Sequence, residues 1–332
     1  MVTLQEIAER AGVSTATVSR ALSGKGRVAQ STRKRILEIA HSLGYSPPKN
    51  QEVTVSVFYS GRLRSVVDDT FYGAVLEGIE REASRLGARV VFSSLPDDPR
   101  RAVAGSLPDQ CGGAIIIGAD VKREQIQWLM DAGLPLVLVD NQLPEGDVDA
   151  VVINNRQGMR LIVSHLAELG HRAIAYVGGP QHHTSLRQRY QAFVEHLGAL
   201  SLELRSELVQ IVEDVDYSFI TGQVGADRLL GTGLPFTAVV CDNDDVAAGV
   251  IHELVSKGIA VPADVSVTGF DGRDVQSRPR LTTVEVARTQ IGAMAFSRLD
   301  QLMKGDHTVP TTITVSTRLM VNESTARPVG TF

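Results

Sequence analysis

From about residue 51 onward the chain repeats one pattern, a short continuous run of aliphatic and β-branched residues followed by an amphipathic helical stretch. The runs fall at 53–58, 88–92, 114–117, 136–139, 151–153, 173–177, 238–241 and 265–268. Strands that are apolar on both faces cannot leave one face in water, so this alternation predicts an α/β fold of doubly wound parallel sheets covered by helices on either side. A length of 332 residues, 43% hydrophobic and 21% charged, suits two or three folded domains of this kind.

Ligands of such sheets sit beyond the carboxyl ends of the strands, where polar loop residues collect. Here those ends carry Phe71 and Tyr72, Asp140 and Asn141, Asn154 and Asn155, Arg187 and Arg189, Asn243 and Asp244, and Asp271. Carboxylates, amides and guanidinium groups pair two-point with vicinal hydroxyls, and aromatic rings cover the apolar face of a pyranose or a base. Any one such residue is most simply a cap or a solvated loop position; their recurrence at successive strand ends favours a binding site.

The first 45 residues follow a different rule. Leu4, Ile7, Ala8 and Ala11 lie on one face of a short helix, Thr3 and Glu6 have capping-box spacing, and Gly12 breaks the helix. Ser14 can cap a second helix in which Val18, Ala21 and Leu22 form the inner stripe. A third helix is predicted over 31–43, with Ile36, Ile39, Ala40 and Leu43 inward and Gly44 at its end. Two short helices around a glycine-containing turn make a helix-turn-helix. Its outer face carries Thr15, Ala16, Ser19 and Arg20, where arginine can donate twice to guanine and methyl groups can meet thymine. Thr17, Ser19 and the basic start of the third helix at Arg33 suit phosphates, and Thr3 and Ser14 complete the candidate DNA-binding set.

Charge supports the division. Residues 1–50 hold eight Lys or Arg against three Glu, a surplus of five positive charges, so the remainder of a chain of net charge −5 carries −10. A basic head on an acidic body suits contact with a polyanion at one end. Cys111 and Cys241 flank apolar runs and read as buried reduced thiols. Neither a secretory leader nor an apolar run of membrane-spanning length is evident, which predicts a cytoplasmic protein with no membrane partner. No metal site, cofactor fingerprint or catalytic motif is found, and adjacent His182 and His183 share no face, so an enzyme is not expected.

The segment TLQEIAERAGVSTATVSRALSGKGRVAQSTRKRILEIAHSLGYSP resembles the DNA-binding head of the LacI/GalR (lactose repressor) family. FYGAVLEGIEREASRLG, VVINNRQGMR, RQRYQAF, CDNDDVAAGV and GIAVPADVSVTGFDG resemble successive segments of that family's sensor, which has the two-lobed periplasmic-binding-protein-like fold. The resemblance implies a homodimeric repressor with a double-stranded DNA operator and a small-molecule effector. A sugar or sugar derivative is the leading effector class, with a nucleobase or nucleoside second; a solute-binding protein would share the body but not the head. It further implies that Thr15, Ala16 and Arg20 read bases, and that Phe71, Asn155, Arg189, Asn243, Asp244 and Asp271 face the effector cleft, beside Tyr72 and Asn141.

On this reading residues 1–46 are the head, 47–52 a linker, 53–326 the sensor and 327–332 a tail. Lobe 1 takes 53–155 and 286–311, lobe 2 takes 156–285 and 312–326, and the chain crosses near Asn155, Glu285 and Thr312. The sequence departs from the family pattern in two places. The linker contains Pro47 and Pro48 and lacks the usual hinge leucine, which predicts no hinge helix. In the pocket, Asn154, Ala192, Val286 and Gly272 replace the family's acid, glycine, glutamine and final aspartate, which points to a less hydroxylated or partly anionic ligand.

Overall fold

A computed structural model describes residues 3–23, 32, 35, 36, 39, 40, 43, 53–60, 70–95, 111–118, 121–213, 215, 218–305 and 309–329, without the side chains of Ser19, Arg20, Leu22, Ser23, Ser60 and Thr70. They fall into two compact units divided after Val53.

In the first unit, α1 (Leu4–Ala11) opens with a complete capping box: Glu6 N donates to Thr3 Oγ1 and Thr3 N donates to Glu6 Oε2. Gly12 ends the helix at φ +63°, a left-handed conformation that costs glycine little. Ser14 begins α2 (Thr15–Ser23), its Oγ accepting from Thr17 N at 3.2 Å. Ile7, Ala8, Ala11, Val18, Ala21, Ile36 and Ala40 form the core, as the spacing predicts, and Thr32, Arg35, Ile36, Ile39 and Ala40 are helical. Gly44 and the linker 47–52, with the expected absence of a hinge helix, lie outside the described residues.

The second unit holds two parallel sheets. The first has strands β1 (Thr54–Ser60), β2 (Arg89–Leu95), β3 (Cys111–Ile117), β4 (Leu136–Val139), β5 (Asp149–Ile153) and β11 (Thr312–Val315), in the order β11-β5-β4-β3-β1-β2. The second has β6 (Ile174–Gly178), β7 (Val209–Ile211), β8 (Ala238–Cys241) and β9 (Ser266–Thr268), in the order β7-β6-β8-β9. A two-stranded antiparallel ribbon, β10 (Thr283–Glu285) with β12 (Arg318–Met320), is separate from both.

The inner strands are buried on both faces, which is why they read as continuous apolar runs, whereas the edge strands β2, β7 and β11 are partly exposed. In the first sheet Val55, Val57, Ile115 and Ile117 face one cluster while Phe58, Ala114, Ile116 and Leu138 face another. Helix α3 (Thr70–Leu86) and α9 (Arg288–Met303) pack closely beside it through Gly78 and Gly292. A Cβ at Gly292 would lie 1.9 Å from Val75 O. Around the second sheet lie α5 (Asn155–Leu169), α6 (Thr184–Ala199), α7 (Phe219–Gly231) and α8 (Asp244–Ser256). Helix α4 (Arg123–Asp131) covers the other face of the first.

Two sequence expectations are corrected. β11 pairs with β5 in the first sheet, so the chain leaves that sheet after Val315 and not near Thr312. Its join to β5 is fastened by Asp149, which pairs with Arg298 at 2.6 Å while Thr311 N donates to the same carboxylate. Cys111 is half-buried, because it opens β3 at the sheet margin; its Sγ donates to Gly113 O at 3.2 Å. Cys241 is buried, and burial pushes its thiol well above the usual range.

Candidate ligand cleft and DNA-binding surface

Chain order reverses between β1 and β3 in the first sheet and between β6 and β8 in the second, and such switch points open crevices at the carboxyl ends of strands. Two polar clusters sit at these ends. In the first, Asp140 follows β4 on left-handed backbone at φ +56°. The Tyr72 hydroxyl donates to Asp140 Oδ2 at 2.8 Å, and Ser185 Oγ on α6 donates to Oδ1 at 2.6 Å. Asp140 thus joins α3, beside the first sheet, to α6, beside the second.

Arg189, one helical turn further along α6, organises the second cluster. Its Nε donates to Asn155 Oδ1 at 2.9 Å, its Nη1 to Asp242 O at 2.6 Å, and its Nη2 lies 3.0 Å from Asp271 Oδ1. The guanidinium stacks 3.8 Å above the Phe270 ring, and Asn155 Nδ2 donates to Gln188 Oε1. Gly158 leaves room for Phe270, since a Cβ there would meet the ring at 2.4 Å. Arg189 and Asp271 are both buried, at 4% and 8% side-chain exposure, which places a charged pair inside the fold. Burial pushes the Asp271 carboxyl up to about 6, against the pull of the Arg189 guanidinium. Asp271 Oδ1 has the ion pair but no aligned hydrogen bond, and the residue sits at φ +111°. Non-glycine residues held in that region are strained, and such strain collects at binding sites.

The remaining expected cleft residues do other work. Asn243 caps α8, its Oδ1 accepting from Val246 N at 2.8 Å. Asn141 donates to Gly118 O and Val121 O, tying loops of the first sheet together. Asp244 accepts from Thr283 Oγ1 and Arg273 N, and burial followed by the charge of Asp271 pushes its carboxyl well above the usual range. Phe71 packs edge-on against Tyr72 with ring centres 5.1 Å apart. Asn155, Arg189, Asp271 and, through Asp140, Tyr72 are the expected residues that polar contacts bring together. Ser185, Gln188 and Phe270 are absent from the sequence-derived set, and Asp140 is named there only as a strand-end acid. Its place directly after the LVLV run is the signal that marks it.

In the head, Thr15 and Ala16 are exposed at the start of α2, and Thr17 is half-buried with its Oγ1 2.8 Å from Ser14 Oγ. Thr3 and Ser14 spend their hydroxyls on capping. Arg35 Nη2 donates to Ala11 O at 2.8 Å, so this arginine braces α1. The side chains of Ser19, Arg20 and Arg33 lie outside the described residues.

Comparison with known proteins agrees with this division. Residues 3–48 match the family described as bacterial regulatory proteins, lacI family, and residues 163–325 match the periplasmic binding protein-like domain. The probable HTH-type transcriptional repressor ExuR of Bacillus subtilis (strain 168) is 28% identical over 98% of this chain and 99% of its own. The HTH-type transcriptional repressor CytR of Escherichia coli (strain K12) is 29% identical over 92% and 91%. Among solved structures, the transcriptional regulator CelR–cellobiose complex superposes with a TM-score of 0.74 at 27% identity, covering 98% of this chain and 100% of that one. The Lac repressor dimer bound to operator and the anti-inducer ONPF gives 0.73 at 26%, covering 98% and 99%. These relatives are transcriptional regulators, and no helix among the described residues is long and apolar enough to cross a membrane. The chain thus joins a lacI-family head to a periplasmic-binding-protein-like body, and along nearly its whole length it is similar to repressors of the LacI/GalR type.

Proposed function

We propose that this protein is a cytoplasmic transcriptional repressor whose affinity for a DNA operator is set by a small effector, a sugar or sugar derivative, bound between its two sheets. The observation that carries the reading is the paired cluster of Asp140–Ser185 and Asn155–Arg189–Asp271, which lines up carboxylate, amide, hydroxyl and guanidinium groups where the strands of both sheets end. Such groups exchange their bonds with one another for bonds to vicinal hydroxyls. Phe71 and Tyr72 supply the aromatic wall. The cellobiose of the CelR complex supports a sugar-class effector here, and the Lac repressor dimer on operator supports two copies reading a two-fold DNA site.

Residues Thr15, Ala16 and Arg20 read bases in the major groove. Two recognition helices about 34 Å apart then set the half-site spacing. Effector control works through different affinity for two lobe arrangements, with coupling of about 1–3 kcal/mol.

The test is a mobility shift on an operator recovered by selection from random duplexes, repeated with a panel of mono- and disaccharides. The expected result is a retarded complex whose affinity one sugar class changes five-fold or more. A response only to nucleosides would replace the effector class, and no selected duplex would overturn the regulator. In the same assay Arg20→Ala costs about 1–3 kcal/mol and relaxes the preference at one base pair.

A further inference from the structure

A cavity of about 570 Å³ opens at the opposite end of the second sheet from the cleft, where β6 and β8 begin. Its apolar lining comes from Ile174, Leu202, Leu208, Pro235, Pro328 and Val329. Four separate stretches of chain therefore build it: the start of β6, the loop after α6, the residues leading into β8, and the segment after β12. Of the lining residues, Val329 is 89% exposed, an apolar side chain left in solvent at the mouth of the cavity. Apolar side chains gathered around one concavity, and not scattered singly, mark a binding surface. The volume falls within the 300–1,000 Å³ or so of ordinary small-molecule sites.

Charge selects the ligand. Arg172 and Arg205 line the same cavity. Arg172 Nη1 donates to Ala167 O and His171 O, both at 3.1 Å, which holds the guanidinium in place, and among the described residues no carboxylate pairs with it. Arg205 pairs with Glu203, which also lines the cavity, at 3.1 Å; that exposed pair leaves Arg172 as the uncompensated charge. A pre-oriented guanidinium donates two parallel hydrogen bonds to a carboxylate. The walls are stiff. Thr237 bonds His171 Nδ1 at 2.9 Å, and His171 Nε2 meets Ala326 O at 2.9 Å, so the segment leading to Pro328 is pinned to the sheet.

We propose that this cavity is a second ligand site, separate from the interlobe cleft, for an amphipathic carboxylate with an apolar body in the pocket and its anionic head on Arg172. It does not depend on the identity of the cleft effector.

The test is isothermal titration of the full chain with decanoate, beside decanol as the uncharged counterpart. Saturable binding of decanoate at one site per chain is expected, with decanol at least ten-fold weaker. Arg172→Gln should weaken decanoate ten-fold or more and leave decanol unchanged. Val329→Glu changes an exposed side chain and so keeps the fold, and it should repel decanoate to a similar extent. Phe71→Ala, in the other cleft, should leave decanoate binding intact. Absence of saturable binding, equal affinity for decanol, or equal loss in Phe71→Ala would overturn the proposal.

Discussion

Asp140 and Asp271 carry the carboxylates of the cleft on left-handed backbone, at φ +56° and +111°. Each is held there by neighbours: Asp271 N donates to Val284 O at 2.8 Å, and Asp140 N to Val151 O at 3.1 Å. The acidity of Asp271 follows from its surroundings, because burial raises it to about 6 and Arg189 opposes the rise. A carboxyl whose folded value is raised contributes stability that is full below its unfolded value near 4 and is lost as pH rises through 6. The shift corresponds to about 3 kcal/mol. Stability of the second unit should therefore decline between pH 4 and 6 by an amount that Asp271→Asn abolishes, measured by chemical denaturation across that range. Arg189→Met removes the largest of the charges that lower Asp271, so the Asp271 carboxyl should titrate higher than in the parent chain in carbon-detected NMR. The same variant should lose effector affinity ten-fold or more, since a charge-assisted hydrogen bond is worth about 1.5–3 kcal/mol. Titration at or below the parent chain's value in Arg189→Met would refute the assigned coupling.

At the level of elements, two kinds of contact are predictable in magnitude. The capping box of α1 satisfies two otherwise orphaned backbone donors through Thr3 and Glu6. Thr3→Ala should destabilise the head by about 1 kcal/mol, read as lost helical signal on heating the isolated transition of that unit. Helices α3 and α9 approach so closely that Gly78 would place a Cβ 2.0 Å from Thr289 O and Gly292 one 1.9 Å from Val75 O. Backbone cannot give way as a side chain can. Gly292→Val should therefore cost the about 1–3 kcal/mol of ordinary overpacking or more, and lower the melting temperature of the second unit by several degrees. An unchanged melting temperature would mean that the two helices separate freely.

At the scale of the whole sensor, the Ser185–Asp140 hydrogen bond joins elements of the two sheets and so bears on how firmly the cleft is shut. Ser185→Ala leaves Asp140 with Tyr72 alone. It should shift the ligand-free protein toward an open form, seen as a larger radius of gyration in small-angle scattering, and should speed effector release. A radius equal to that of the parent chain would show that closure rests on other contacts.

Much of this architecture was legible beforehand. Eight apolar runs became strands of two parallel sheets, and the head's inner stripes became its core, because side-chain periodicity reports directly which residues face inward. The ribbon β10–β12 was not legible, since its strands, TVE and RLM, are three residues each and too short to show a period. β11 was placed on the wrong side of a lobe boundary because TITV pairs with a strand far earlier in the chain, and local pattern holds no information about that partner.

The sequence by itself therefore determined the parallel α/β body, the helix-turn-helix and the collection of polar residues at strand ends, all consequences of short-range periodicity and capping chemistry. Only the tertiary structure decided what those polar residues do. It set Arg189 against Asp271 and Asn155, gave Asn243 to a helix cap, and joined Ser185 to Asp140. The partner of a buried polar group is fixed by which distant segment the closed chain brings within about 3 Å, and no local pattern encodes that meeting.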